Sequence, residues 1–233
     1  MEQLAKEAIM IKKHYEFSLW LRLTHWTRAL TIIVLTATGF YIAVPVLSPA
    51  LNAGEPTNFL NALFISWHII FGFILICVTL GKFYLFFFDK ESKDERASFK
   101  DFISPKVWIQ QLKYYMLIEK HPNGKGVYNP LQFIAYLGVY ISLIAMSITG
   151  IIMYVHAFHE GLGGLLYSYM RPLEVMLGGL AMVREIHHIV MWVFILFLPV
   201  HIYMAVFNSV YGKSGAMDSI FSGYRWVKEK DKE

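Results

Sequence analysis

Two histidines, His187 and His201, lie fourteen residues apart in a long apolar run near the end of the chain. On an α-helix this spacing corresponds to roughly 21 Å of rise and about 1400° of turn, which is within about 40° of a whole number of turns. Both imidazoles therefore leave one face of the helix at two depths. A histidine inside a bilayer is costly and usually functional. If the helix spans a membrane, the spacing predicts two stacked cofactors.

The composition is typical of a membrane protein. Of the 233 residues, 56% are hydrophobic and only 16% are charged, against about 25% charged in a typical soluble domain. Cys77 is the only cysteine, which excludes an intrachain disulfide, a cysteine-ligated Fe–S site and covalent c-type haem attachment. Residues 1–20 lack the pattern of a cleavable signal peptide. The formal charge of +4 gives no reason to expect a nucleic-acid partner.

Four apolar segments are each long enough for a membrane crossing of about 20 residues. They predict an all-α, integral membrane four-helix bundle that forms a single domain over residues 1–233. The predicted spans are residues 21–44, 61–88, 130–155 and 184–210. Outside the spans, residues 1–20 and Pro105–Ile118 are expected to form amphipathic helices at the membrane surface. Residues 156–183 are expected to form a Gly-rich loop.

The 21 basic residues are distributed unevenly along these segments. Five lie in the N-terminal region, nine in or beside the loop of residues 89–128, and five in the C-terminal tail. The two opposite loops hold only Arg171 and Arg184. Because loops rich in Lys and Arg stay in the cytoplasm, both termini are predicted to be cytoplasmic. The loops of residues 45–60 and 156–183 are predicted to face outward.

Four of the histidines within the predicted spans pair by depth. His25 and His201 lie toward the cytoplasmic surface, whereas His68 and His187 lie toward the outer surface. Two layers of two imidazoles match bis-histidine ligation of two b-type haems between the helices of a bundle. Histidines that hydrogen-bond between helices are the alternative interpretation. Zinc is disfavoured because each layer has too few clustered ligands for it.

The choice of ligand in the outer layer is between two neighbouring histidines. His188 lies about 100° around the helix from His187. Only His187 shares a face with His201, so His187 is predicted to be the ligand. The remaining histidines lie in loops or at helix ends and are expected to be solvated or interfacial; they are His14, His121, His156 and His159.

Three arginines lie within one helical turn of these histidines. Arg22 and Arg28 flank His25 at three residues on either side, and Arg184 precedes His187 by three residues. Residues at this spacing are neighbours on a helix surface. The three arginines are therefore candidate partners for the propionates of the inner and outer haems, with snorkelling to the membrane surface as the alternative interpretation.

A Thr-Gly pair occurs near the outer end of both the first and the third span, as Thr38-Gly39 and Thr149-Gly150. Gly39 also follows His25 by fourteen residues, which places it at the depth of the outer layer. A glycine there would let a flat cofactor approach the backbone, or it would allow two helices to pack closely. The sequence leaves both interpretations open.

With these residues in place, the chain resembles the b-type cytochrome subunit of membrane-bound uptake NiFe hydrogenases. The resemblance covers about residues 15–225. Its motifs are Arg22-Leu-Thr-His25-Trp26, Trp67-His68, and His187-His188 with His201 at fourteen residues from His187. The same histidine spacing is shared with the related cytochrome b subunit of membrane formate dehydrogenase.

The resemblance implies a dihaem membrane anchor that does not itself act on hydrogen. Electrons would arrive from an Fe–S cluster of an extracytoplasmic hydrogenase small subunit, which is bound to the NiFe large subunit. They would pass the outer haem b and then the inner haem b, and reduce a quinone, either menaquinone or ubiquinone. The resemblance also implies a multi-pass protein of the bacterial inner membrane, with its outward-facing loops as the docking surface.

The same relatives indicate where a quinone would bind. Asn129 and Gln132, at the start of the third span, resemble an Asn-x-x-Gln stretch that borders the quinone site in the formate dehydrogenase subunit. Pro130 and Leu131 replace the small residues expected between them. The resemblance thus implies a quinone site near the inner haem that includes Asn129, Gln132 and the exposed edge of His201.

Two alternatives stay open at this point. The first keeps the dihaem cytochrome but gives it formate dehydrogenase or another periplasmic reductase as partner. The second is a non-haem membrane transporter with four intramembrane histidines. Transporters usually show broken helices and inverted repeats, and the repeated Thr-Gly pair is the only such hint in the sequence.

Overall fold

The computed structural model describes residues 11–47, 59–90, 92–116, 118, 128–210 and 216–228. Its elements, in chain order, are β1 (Ile11–Tyr15), α1 (Leu19–Ala43), α2 (Phe59–Phe88), α3 (Lys93–Ile103), α4 (Pro105–Tyr115), α5 (Pro130–Ala157), α6 (Gly161–Met176), α7 (Leu180–Val210), α8 (Ala216–Ser222) and β2 (Tyr224–Lys228).

Four of these helices are long and apolar enough to cross a membrane. The segments are Leu19–Ala43, Phe59–Phe88, Pro130–Ala157 and Leu180–Val206. They coincide with the four predicted spans apart from small shifts at the ends, so the prediction of four membrane helices is confirmed. The described residues divide into two compact units. Unit 1 contains the described residues within 1–23, 82–137 and 197–233, and unit 2 contains those within 24–81 and 138–196.

The core of unit 2 draws on all four long helices. Leu75 of α2, Leu143 of α5 and Phe194 of α7 are buried together, and Ile32 and Leu35 of α1 pack against them. The helices of unit 2 therefore form a four-helix bundle around an apolar centre. The opposite helix faces expose many large apolar side chains, which suits contact with lipid tails because these are as apolar as the residues themselves.

Unit 1 joins the two ends of the described chain. β1 pairs with β2 in an antiparallel two-stranded sheet, in which Lys13 lies opposite Trp226. The backbone N–H of Glu16 donates to the carbonyl of Gly223 at 2.9 Å, and Arg225 donates to the Glu16 carboxylate at 3.0 Å. The first and last described segments thus lie side by side, which is compatible with an even number of membrane crossings.

This sheet corrects one prediction. A surface helix was expected over residues 1–20, but Ile11–Tyr15 is a strand, and α1 begins only at Leu19; residues 1–10 lie outside the described residues. The prediction was wrong because the strand is stabilised by a partner from the far end of the chain. Local periodicity contains no information about such a partner.

The polar segment between α2 and α5 contains two helices. The predicted amphipathic helix over Pro105–Ile118 is confirmed as α4, which ends slightly earlier. α3 was not predicted, since its sequence is mostly polar. Phe102 of α3 packs against Trp108 of α4 and against Phe133 in the first turns of α5. The side chain of Trp108 also donates to the carbonyl of Phe102 at 2.8 Å. These contacts fix α3 and α4 to the start of α5.

The expected loop over residues 156–183 is likewise corrected, because most of it forms α6. Three glycines at its start suggested a loop, but a buried carboxylate fixes the helix in place. Glu174 is only 3% exposed; Arg171 donates to its Oε1 at 2.6 Å, and His156 Nε2 lies 2.5 Å from its Oε2. His156 was expected to be solvated or interfacial, and it instead links α5 to α6. His121 lies outside the described residues.

The charged groups around Glu174 make the attachment of α6 sensitive to pH. The hydrogen bond from Arg171, followed by that from His156, lowers the pKa of the Glu174 carboxyl below its ordinary value of 4.5. A carboxyl whose pKa is lower in the folded state than in the unfolded state stabilises the folded state at pH values above its ordinary pKa. This stabilisation is lost as the pH falls through the lowered pKa.

We therefore predict that hydrogen exchange of the α6 amides, corrected for intrinsic exchange rates, is constant between about pH 7 and pH 5 and increases at lower pH. Glu174→Gln should give faster exchange at neutral pH and remove the acid-dependent increase. Glu160→Gln, at an exposed position before the same helix, is the control and should behave like the unchanged protein. Equal exchange in the Glu174→Gln variant and the unchanged protein would contradict the prediction.

Candidate functional site

The structure brings His68 and His187 together in unit 2. His68 lies on α2 and His187 on α7, and their ring centroids are 6.3 Å apart. A bond from imidazole to a metal is about 2 Å long, and the radius of the five-membered ring adds a little over half of that length on each side. Two imidazoles that bind one iron from opposite sides therefore have centres roughly 6 Å apart. The outer pair fits bis-histidine ligation of a single haem iron.

The hydrogen bonds of the two rings also fit this role. Thr38 Oγ1 lies 2.9 Å from His68 Nδ1, and Thr149 Oγ1 lies 2.8 Å from His187 Nδ1. With Nδ1 turned toward a threonine in each ring, Nε2 is the nitrogen that can bind iron. The adjacent His188 is exposed, whereas His187 is partly buried. This geometry favours His187 as the ligand, in agreement with the helical spacing.

The inner-layer histidines lie in different units. His25, on α1 in unit 2, is partly buried and meets the ring of Trp26 edge-on at 5.2 Å. His201, on α7 in unit 1, stacks on Phe197 one turn earlier at 5.2 Å. The ring of Tyr136 also meets His201 at 5.9 Å. The pairing of His25 with His201 stays a prediction.

The two candidate quinone residues cap the start of α5. The backbone N–H of Gln132 donates to Asn129 Oδ1 at 2.8 Å, and the N–H of Asn129 donates to Gln132 Oε1 at 3.1 Å. This reciprocal pair is a capping box, and Pro130 at the first helical position suits it because proline has no N–H to satisfy. The side-chain oxygens of both residues therefore accept hydrogen bonds within this cap.

A polar and aromatic network connects this helix start to His201. The Tyr128 hydroxyl donates to Glu95 Oε1 at 3.2 Å, and the Tyr128 ring meets Tyr136 at 4.8 Å. Tyr136 lies one turn after Gln132 and contacts His201. Tyr136 was not predicted from the sequence; its position four residues after Gln132 was the available signal. Tyr136 thus contacts both His201 and Tyr128, the residue before the candidate quinone residue Asn129.

The three candidate propionate partners have different surroundings. Arg22 donates to the carbonyl of Phe221 at 2.5 Å in unit 1. Arg28 donates to the Tyr140 hydroxyl at 3.1 Å in unit 2, and Arg184 is exposed. Arg22 thus has a structural role in holding the C-terminal segment. The role of each arginine toward a propionate stays a prediction.

Comparison with known proteins gives the class to which this site belongs. The model of the prokaryotic cytochrome b561 family matches residues 16–223. The chain therefore belongs to this family of membrane cytochromes, in agreement with its four membrane helices. Membership means that the cofactor is haem b, for which the outer histidine pair is a fitting ligand set.

Individual relatives narrow the class further. A protein from Cupriavidus necator named "Probable Ni/Fe-hydrogenase B-type cytochrome subunit" is 30% identical, over 94% of this chain and 89% of its own. A protein of the same name from Azotobacter vinelandii is 29% identical over 92% of this chain and 89% of its own. The "Probable Ni/Fe-hydrogenase 1 B-type cytochrome subunit" of Escherichia coli K12 is 26% identical over 92% of each chain. The resemblance inferred from the sequence motifs is confirmed.

The network beside the inner histidine contains a buried ion pair whose energetics can be tested. Lys82 Nζ lies 2.6 Å from Glu95 Oε2, and the side chains are 6% and 10% exposed. We predict that Lys82→Met, which leaves the carboxylate buried without its cation, lowers stability by about 3–5 kcal/mol. Unfolding of the purified protein in detergent measures this.

The double variant Lys82→Met/Glu95→Gln should recover most of the lost stability, because no uncompensated charge remains. Lys90→Met, at an exposed position near the same helix end, is the control and should change little. The assignment fails if Lys82→Met and Lys90→Met are equally stable.

Proposed function

We propose that the chain is the dihaem cytochrome b subunit of a membrane-bound NiFe hydrogenase and carries electrons from hydrogen oxidation to the quinone pool. The observation that carries the proposal is the outer pair of histidines, with rings 6.3 Å apart and each Nδ1 beside a threonine. The names of the relatives support hydrogenase as the partner over formate dehydrogenase. Membership of a cytochrome family speaks against a non-haem transporter.

Within this proposal the chain is one dihaem membrane domain, in which His68 and His187 hold the outer haem and His25 and His201 the inner haem. Bound haem supplies one-electron redox chemistry at two depths in the membrane. Arg22 and Arg28 serve the inner propionates, and Arg184 serves the outer ones. The inner pairing is supported by the matching depths of the two histidines in the sequence.

The proposed orientation follows from the distribution of positive charge. With nineteen basic residues toward one surface and two toward the other, both termini lie in the cytoplasm. The pairing of β1 with β2 supports a common side for the two ends of the chain. In a bacterial inner membrane the loops after α1 and around α6 then face outward, where they meet the Fe–S small subunit and, through it, the NiFe large subunit.

The quinone, menaquinone or ubiquinone, binds on the cytoplasmic side beside Asn129, Gln132 and His201. The amide NH2 groups donate to its carbonyl oxygens, and the Tyr136 ring lies between the start of α5 and His201. Hydrogen oxidation outside releases two protons and two electrons. Quinone reduction inside uses two electrons and takes two protons from the cytoplasm, so each turnover makes the cytoplasm more negative.

Histidine variants test the ligand assignment. We predict that His68→Ala and His187→Ala each abolish the same b-type haem in reduced-minus-oxidised spectra, while His25→Ala and His201→Ala each abolish the other. His188→Ala should retain both haems, and so should His159→Ala, a control at an exposed position. Loss of a haem in His188→Ala, together with its retention in His187→Ala, would overturn the choice of ligand.

Reconstitution tests the direction of charge transfer. In sealed vesicles that contain the hydrogenase complex and quinone, hydrogen should produce quinol and a membrane potential that is negative on the side of the termini. A potential-sensitive dye and quinol absorbance measure both, and a protonophore is the control that should abolish the potential alone. Quinol formation without any potential would refute the proposed sidedness.

A further inference from the structure

The repeated Thr-Gly pair has a matched position beside the two outer histidines. Thr38 and Thr149 are almost fully buried, at 3% and 2% exposure. Thr38 on α1 contacts His68 on α2, and Thr149 on α5 contacts His187 on α7. Each outer histidine is thus met by a threonine from a different helix, at nearly the same distance and through the same ring nitrogen.

The single proton of each hydroxyl decides the direction of these hydrogen bonds. Thr38 Oγ1 donates to the carbonyl of Val34 at 2.8 Å, and Thr149 Oγ1 donates to that of Ala145 at 2.7 Å. A hydroxyl that donates its only proton to a carbonyl must accept from the imidazole. Nδ1 therefore carries the proton in both rings, and Nε2 keeps the lone pair that a metal needs.

The glycines that follow the threonines lie beside the same two rings. A Cβ atom at Gly39 would lie 3.4 Å from His68 Cε1, and one at Gly150 would lie 3.6 Å from His187 Cε1. Each glycine therefore lies against the edge of the ring whose Nδ1 its neighbouring threonine holds. Both glycines thus face a histidine of a neighbouring helix, and the approach of a flat cofactor to either glycine stays a prediction.

We propose that Thr38 and Thr149 are paired positioning residues for the outer haem, which fix the Nδ1–H tautomer of His68 and His187 and lower the reduction potential of that haem. The inference rests on the proposed ligation of one haem by these two histidines. Donation from Nδ1–H makes Nε2 a stronger electron donor to iron, which favours the oxidised state. Both threonines act on the same iron, so their effects appear on one haem only.

Redox titration of the purified protein, followed at the b-type absorption bands, tests the inference. Thr38→Val and Thr149→Val keep the side-chain shape and remove the hydroxyl. Each should raise the midpoint potential of the same one of the two haems, and the double variant should raise it further.

Two controls separate hydrogen bonding from packing. Thr38→Ser and Thr149→Ser keep the hydroxyl and should retain the original potential. Thr79→Val removes another nearly buried hydroxyl of unit 2, for which the described residues offer no hydrogen-bond partner, and should shift neither haem. If a valine variant loses the haem, the serine variant at the same position decides the result. Retention of the haem with unchanged potential in the serine variant supports the inference, and loss of the haem in the serine variant overturns it.

Unchanged potentials in both valine variants, or shifts on two different haems, would overturn the inference while leaving haem binding itself intact. Absence of b-type bands in the unchanged protein would instead overturn the proposed function. The two failures are therefore distinguishable. Electron paramagnetic resonance provides a second readout, because the low-spin signal of the outer haem should change in the valine variants and not in Thr79→Val.

Discussion

The outer site depends on the requirement that a polar group inside a hydrocarbon layer must be satisfied within the protein. A neutral imidazole has one donor and one acceptor. In His68 and His187 the donor is used by a threonine that is itself anchored to its own helix backbone. Only the acceptor nitrogen is left for a ligand, so the arrangement that satisfies the hydrogen bond would also select the nitrogen for the proposed iron ligation. Under that proposal, the same hydrogen bonds serve both stability and cofactor binding.

In unit 1 the buried groups that must be satisfied within the protein are charged. Lys82 and Glu95 are buried as a pair, and the Tyr128 hydroxyl provides a further hydrogen bond to the carboxylate. Tyr128 directly precedes the capping box of α5, whose geometry in turn sets the position of Tyr136 beside His201. A buried ion pair is weak evidence for stability in itself. Its effect in this unit is to orient the helix start that carries the candidate quinone residues.

Much of the fold could be predicted because it depends on local sequence. The lengths of the apolar segments predicted the four spans, and the helical periodicity of an amphipathic segment predicted α4. Helical spacing alone favoured His187 over His188 as the ligand.

The strand pair of residues 11–15 and 224–228 could not be predicted, because it depends on a contact between chain ends. α6 was missed because its glycines suggest a loop, whereas the bonds from Arg171 and His156 to Glu174 hold a helix. The Thr-Gly repeat was visible, but the contacts of its threonines depend on how helices rotate against one another.

The central claim is that this one chain holds two haems between paired histidines. The most direct measurement is the haem b content of the purified chain, determined by pyridine haemochrome absorbance against quantitative amino acid analysis and combined with a redox titration. The account predicts two haems per chain and two separate one-electron transitions. One haem per chain, or none, would contradict it.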